Sequence, residues 1–457
     1  MKLNKSILYI LSLTVLASCQ PELSEDFEPS AGNADFSKYV ALGNSLTAGF
    51  TDGALYKSAQ EYSFGSILAA QFSYVGGGTF NQPLMPTDEG VGINVGPQGL
   101  SFSTKYVLGF KNDCLGETSL APVLADPDAS QDVLMQRLMT SVVNDGPFNN
   151  LGVPGIKSYH MLNAGLGLNP YFARMAQNPA SDILIQMAVE QQPSFFSLWI
   201  GSNDVLGYAI TGGTSDSITS GQTFSFVLNE ILANLAAGQA KGAIANIPNI
   251  KVIPFFTTVP YNAIVLSDQA QVNALNAAYH DLNQMIKQQG STDTIAFKPG
   301  ANAMLIADAS LPWGLRHIKA SELVLLSIPQ DSLKCAGWGT MSPVGDQFIL
   351  AEEEIGQINA AVTAYNQAIA QMANDYDLAL VDIHSELNYY NEHTVYHDGI
   401  AFNTDFITGN LFGLDGIHLS PRGNALIAMH FINAINHQFR ANIPQVTIAA
   451  YPGYDFP

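Results

Sequence analysis

The chain has 457 residues, enough for one large domain or two to three ordinary ones. Apolar residues make up 47% and charged residues only 12%, so a large core can form in a chain less charged than cytosolic proteins usually are. With 18 Lys and Arg against 39 Asp and Glu, the net charge is −21, a field that repels phosphate backbones and argues against nucleic acid as a partner.

The N-terminus carries a processing signal. Lys2 and Lys5 form a positive n-region, Ile7 to Ala17 an apolar h-region, and Leu16-Ala17-Ser18-Cys19 closes it. The apolar run of about eleven residues is too short to span a bilayer, which takes ~20 residues. A small-residue site ending in cysteine is similar to a bacterial lipoprotein signal. That similarity implies removal of residues 1–18, lipidation of Cys19 and a membrane held through the lipid. Gln20 rather than Asp after the cysteine points to the outer membrane, on either face. Residues 19–36 are polar and acidic and are expected to form a flexible tether, leaving a catalytic-type domain over 37–457.

Tyr39 to Leu42 reads as a buried strand closed by Gly43-Asn44-Ser45, with a helix able to start at Leu46. A serine at such a turn lies exposed at the sheet's carboxyl edge, with helix N–H groups pointing toward it. Glu61 to Phe72 has helical spacing. From about 75 to 145 the chain is rich in glycine and proline, with one helix near Asp132–Val143. An insertion that long is commonly a lid or a binding wall.

Asn150-Leu-Gly-Val-Pro-Gly155 is a glycine-rich turn, and Ser181 to Gln191 is helical. Phe195 to Ile200 is an apolar strand ending in Gly201-Ser-Asn-Asp204. Phe224 to Ala240 reads as a helix, Ile250 to Val259 as a strand stopped by Pro260, and Ala270 to Gln288 as a helix. A second irregular insertion runs over about 292–345. Glu352 to Tyr376 is a long amphipathic helix whose opening glutamates suit its N-terminal dipole. Leu378 to Ile383 is a buried strand, Asp415-Gly-Ile-His418 a loop, and Asn424 to Phe439 a closing helix. Strands that are apolar throughout and alternate with helices predict an α/β domain whose parallel sheet is covered on both faces.

Ser45, Gly155, Asn203 and the Asp415/His418 pair all follow strands or sit in loops, so one sheet edge can gather them. Acyl transfer needs such a set. A serine hydroxyl requires a base to take its proton, and a carboxylate must hold that base in one tautomer. Asp415 and His418 are close enough in sequence for a tight turn to bring carboxylate to Nδ1 while Nε2 faces Ser45. Backbone N–H groups of Ser45 and Gly155 and the Asn203 amide could serve a developing oxyanion.

These four ordered blocks resemble those of the SGNH (GDSL-type) serine hydrolases and esterases, in a lipoprotein form similar to members from Bacteroidetes. The resemblance spans Tyr39 to about Ala428. It implies a flavodoxin-like three-layer sandwich with a mostly parallel sheet, interrupted here by two large insertions. It further implies Ser45 as nucleophile, His418 as base, Asp415 as its orienting partner, and Ser45, Gly155 and Asn203 as the oxyanion hole. No cofactor or metal is expected. Asn44 departs from the family's usual aspartate, and the insertions roughly double a typical core, so substrate specificity does not carry over. The implied activity is cleavage of carboxylic esters through an acyl-enzyme. Its alternatives are deacetylation of glycans and, in another class, a non-catalytic binding lipoprotein. The 18 Tyr, 24 Phe and 3 Trp suit acyl chains or sugar rings equally.

Other acid–base candidates are weaker. Asp382 and His384 are expected on a strand, pointing to one face without contact. His397-Asp398 mimics the Asp415 motif but has Ala401 in the histidine's place. His160, His280, His317, His393, His430 and His437 have no carboxylate at useful spacing. Cys114 and Cys335, one in each insertion, are expected to pair in an oxidising envelope and to tie the insertions together beside Ser45 as a substrate wall.

Overall fold

The computed structural model describes residues 27–96 and 99–456. The signal segment, Cys19 and the first part of the tether lie outside the described residues. The remainder of the expected tether is docked rather than loose. Asn442 donates to the Glu28 carbonyl at 2.7 Å, Ser30 pairs with Asn442, and Phe36 is buried between Phe72 and Phe195. An aromatic side chain with two aromatic partners is reason enough for the chain to settle there.

The frame is a five-stranded parallel sheet: β1 (Tyr39–Gly43), β2 (Asn150–Gly152), β3 (Phe195–Trp199), β4 (Lys241–Ala245) and β5 (Ala379–Val381), in the spatial order β5-β4-β3-β1-β2. This is the flavodoxin-like order. β1 and β3 are buried at every position, as a sheet with both faces covered requires. The hydroxyls of Tyr39 and Ser197 satisfy each other at 2.7 Å inside it.

One helix pair packs Phe64 of α2 (Phe64–Phe72) on Phe431 of α7 (Pro421–Phe439), and Phe64 also meets Trp199 of β3. The other pair stacks Phe224 of α4 (Gly221–Ala236) on Tyr365 of α5 (Glu352–Asp375). Each such fully buried ring stabilises the fold by about 1.5–3 kcal/mol.

Several expected elements shift. The helical run at Glu61–Phe72 divides into Lys57–Glu61 and α2, because Ser63 caps a new start by accepting from Ser66 N. Ala270 to Gln288 divides likewise at Tyr279. The strand expected over Ile250–Val259 is instead a helical turn at Ile250–Val252 followed by the helix Pro254–Thr257, with proline at its first turn. The true strand is β4, earlier in the chain. Its Gly242 leaves room for the Phe196 ring, which would lie 2.5 Å from a Cβ there.

The second insertion is wider than 292–345. Val259 to Ile349 encloses a hydrophobic core of its own, built on Val272, Leu275, Phe297, Leu305 and Val344. Its antiparallel strand pairs join Ile264–Leu266 with Gly300–Asn302 and Leu305–Ala307 with Leu315–His317. Inside it Arg316 bridges Asp308 and Glu322. The first insertion contains the long hairpin Tyr106–Asn112/Thr118–Leu124 and a helix at Gln131–Met139.

Cys114, at that hairpin's tip, is bonded to Cys335 across a sequence separation of 221. Beside the bridge Lys334 pairs with Asp113 at 2.6 Å, and Cys114 N donates to Asp331. Replacing both cysteines by serine is expected to lower stability by about 2–4 kcal/mol. A thermal or denaturant midpoint equal to that of the unaltered protein would contradict this.

Candidate active site

Ser45 opens the one-turn helix α1 (Ser45–Ala48) directly after β1. Asn44 caps that turn: its Oδ1 accepts from Leu46 N at 3.1 Å, and its backbone carbonyl accepts from Ala48 N. Two glycines let the turn sit tightly on the sheet. A Cβ on Gly43 would lie 2.2 Å from Thr47 Oγ1, and one on Gly152 2.2 Å from Ala48 N. Ser45 is 7% exposed.

The Asp415–His418 loop lies against this turn. His418 Nε2 is 2.9 Å from Ser45 Oγ, and His418 Nδ1 is 2.8 Å from Asp415 Oδ2. Asp415 Oδ1 accepts from the backbone N–H of Ile417 and of His418, both at 2.9 Å, and Oδ2 also accepts from Gly53 N at 2.9 Å. Burial would raise this carboxyl, but the His418 charge and the hydrogen bonds outweigh it and hold Asp415 down at about 2. Asp415 is therefore ionised throughout the neutral range. The Phe50 ring lies 4.7 Å from the imidazole and limits its tilt.

The oxyanion candidates occupy the carboxyl ends of three adjacent strands: Gly155 after β2, Ser45 after β1, and Asn203 after β3. Gly155 has φ +82, a left-handed conformation that suits glycine. Asn203 starts α3 (Asn203–Ala209) and donates from Nδ2 to the Ile156 carbonyl at 2.9 Å, so one of its two amide hydrogens ties the Gly155 turn to α3. Its neighbour Asp204 is structural: it is buried and accepts from Ser158 N and Ser158 Oγ.

Ser45, Asn203 and His418 share an apolar cavity of about 50 Å³. Its wall includes Trp199, Leu206, Ile250, Ile253, Phe412 and Ile417. Among the described residues none from the stretches 75–145 or 292–345 lines this cavity, so its wall belongs to the frame. What the insertions flank is the Asp415 loop. Tyr106 N donates to Asp52 O at 2.7 Å, and Leu326 touches the space beside Gly416. Removing the disulfide should thus leave acyl-chain selectivity unchanged.

The rival pairs are occupied elsewhere. Asp382 is not on a strand; it caps the helix α6 (Ile383–Glu392), accepting from Ser385 N and Asn246 Nδ2. His384 donates from Nδ1 to Ile247 O at 3.0 Å and so buttresses the cavity wall. Asp398 accepts from Ile448 N. His430, expected to lack a carboxylate, has Glu386 at 3.6 Å, brought there by tertiary packing, yet burial pushes it down to about 4. Among the described residues no cluster of three His, Cys, Asp or Glu side chains is placed to hold a metal ion.

Two groups at the site escaped the sequence reading. The wall residues Ile250 and Ile253 were hidden by their assignment to a strand. Asp52 had no signal beyond an Asp-Gly turn.

The fold is an α/β sandwich whose sheet edge carries a serine, a histidine and an aspartate in one hydrogen-bonded row. Across residues 39–431 the sequence matches the GDSL-like lipase/acylhydrolase family, and the chain belongs to it. Two solved structures are similar. One is LAE5, described as an α/β hydrolase enzyme from the metagenome of Lake Arreo, at 13% identity, covering 88% of this chain and 96% of that one with a TM-score of 0.35. The other is a protein of Parabacteroides merdae described as a GDSL-like lipase, at 10% identity, covering 89% and 99% with a TM-score of 0.32. No curated protein matches the sequence.

Proposed function

We propose that the protein cleaves carboxylic esters through an acyl-enzyme on Ser45, with His418 as general base and Asp415 as the carboxylate that fixes its tautomer. The observation that carries this reading is the unbroken row Ser45 Oγ, His418 Nε2, His418 Nδ1, Asp415 Oδ2 at 2.9 and 2.8 Å. His418 takes the serine proton as Oγ attacks the carbonyl carbon, then returns it to the leaving alcohol. The N–H groups of Ser45 and Gly155 and the Asn203 amide are the donors for the oxyanion.

The cavity beside Ser45 accommodates the acyl chain. A cavity this small and apolar favours short acyl groups. A glycan deacetylase would use the same machinery, and the small cavity suits an acetyl group too. The test is a p-nitrophenyl ester series from acetate to palmitate, run beside acetylated xylan. We expect turnover to peak at short chains. No turnover on any of these substrates would replace this reading with a binding role.

Asn44 offers a second check. Aspartate there would keep the acceptor for Leu46 N and add a negative charge near the imidazole. Negative charge there favours the imidazolium over the neutral imidazole. Asn44→Asp should remain active, with the acid limb of its pH–rate profile moved to higher pH. Asp415, at about 2, cannot produce that limb. An unmoved limb would show that the charge is not felt at His418.

We also propose that the mature protein is an outer-membrane lipoprotein carried on Cys19. Its support is the N-terminal sequence alone. Metabolic labelling with a radioactive fatty acid should mark the wild type and spare Cys19→Ser; equal labelling would exclude this anchor.

A further inference from the structure

We propose that Asp52 is a positioning residue for the hydrolysis proposed above, holding the Asp415 loop in register with Ser45. The inference rests on that reading and adds a member from outside the four sequence blocks.

Thr51 to Ala54 is a tight turn, closed by reciprocal hydrogen bonds between residues 51 and 54. Within it Asp52 has φ +53 and Gly53 φ +74, both left-handed. Two neighbouring residues of this turn grip two neighbouring residues of the catalytic loop, in opposite senses. Asp52 Oδ1 accepts from Leu414 N at 2.8 Å, and Gly53 N donates to Asp415 Oδ2 at 2.9 Å. Side chain holds backbone in the first bond, and backbone holds side chain in the second.

The clasp allows no slack. A Cβ on Gly413 would lie 3.1 Å from Asp52 Oδ1 and 2.3 Å from Thr51 Oγ1, and one on Gly53 would lie 2.7 Å from the Tyr106 ring. Asp52 is itself fixed at 3% exposure. Tyr56 OH donates to its Oδ2 at 2.6 Å, and Tyr454, from the C-terminal segment, donates to its Oδ1. The C-terminal segment thereby takes part in ordering a loop more than 30 residues upstream.

A buried carboxylate next to a second one is unfavourable, and burial followed by the Asp415 charge pushes Asp52 upward. Three converging donors reduce that cost. The clasp gives the Asp415 loop a fixed anchor on the Ser45 side of the sheet. Phe50 and Asp52 lie on the same short segment, so one segment limits the imidazole's tilt and sets the carboxylate's position.

The test uses Asp52→Ala, Asp52→Asn and Tyr454→Phe in the full-length protein. Alanine removes the acceptor for Leu414 N, and a misplacement near 1 Å can cost about 10²-fold. We expect kcat for Asp52→Ala to fall about 100-fold with KM little changed. Asn keeps an Oδ1 acceptor for Leu414 N, so Asp52→Asn should stay within about tenfold of the wild type. Tyr454→Phe keeps the ring, removes one donor, and should fall between them; it also decides the matter if Asp52→Ala does not fold. The downfield imidazole proton of the His418–Asp415 hydrogen bond should be sharp in the wild type and Asp52→Asn and broadened or lost in Asp52→Ala. An unchanged kcat and proton signal in folded Asp52→Ala would overturn the proposal, as would wild-type behaviour of both in Tyr454→Phe when Asp52→Ala is unfolded. If the wild type hydrolyses no ester, the proposed reaction falls, and the imidazole proton still decides whether Asp52 orders the loop.

Discussion

Ser45→Ala is expected to lose ester hydrolysis by at least about 10⁴-fold and to lose all labelling by a fluorophosphonate. The size follows from the part the serine plays. Without Oγ no acyl-enzyme forms, and the remaining donors can only assist direct attack by water. Stability should hardly change, because Ser45 Oγ lines a cavity beside His418 rather than filling a packed core. A folded, inactive, unlabelled variant is therefore the expected result. Labelling that survives at another residue would remove Ser45 from the mechanism.

β1, β3 and β5 were legible as short apolar runs, whereas β2 was read as part of the glycine-rich turn Asn150–Gly155. β1 and β3 are buried at every position, which is what a continuous apolar run signals. β4 was not legible. Lys-Gly-Ala-Ile-Ala is short and made mostly of small residues, so it lacks the bulky apolar run that marks β1 and β3, and its glycine is there because Phe196 covers it. The run from Ile250 looked more like a strand, but Pro254 fits the first turn of a helix instead.

At the candidate site, Asp415 and His418 could be read from their spacing, since a three-residue turn is a local object. Asp52 could not, because its partners Leu414 and Tyr454 are brought to it only by tertiary folding. The cavity wall was obscured for a related reason. One side of it is formed by the segment 247–253, whose path is set by distant side chains: Asn366 bonds both Ile247 N and Ile247 O, and His384 bonds Ile247 O.

Asp415→Asn should cost nearly as much as loss of the serine, for a reason specific to this loop. Each carboxylate oxygen accepts two hydrogen bonds: Oδ1 from the N–H of Ile417 and of His418, Oδ2 from Gly53 N and His418 Nδ1. An amide has one acceptor and one donor end, so it must fail on one side. With Nδ2 at the Oδ2 position, it opposes Gly53 N–H and donates to His418 Nδ1. That tautomer leaves the proton on Nε2, which can no longer accept from Ser45. With Nδ2 at the Oδ1 position, the tautomer survives but two backbone N–H groups are orphaned and the turn that aims His418 loosens. Either orientation leaves at least one buried donor unsatisfied, at about 1–3 kcal/mol each. We expect kcat to drop by about 10⁴-fold, the scale of a wrong tautomer, together with a lower thermal midpoint. Asp415→Asn with kcat within about tenfold of wild type would show that His418 does not depend on this carboxylate.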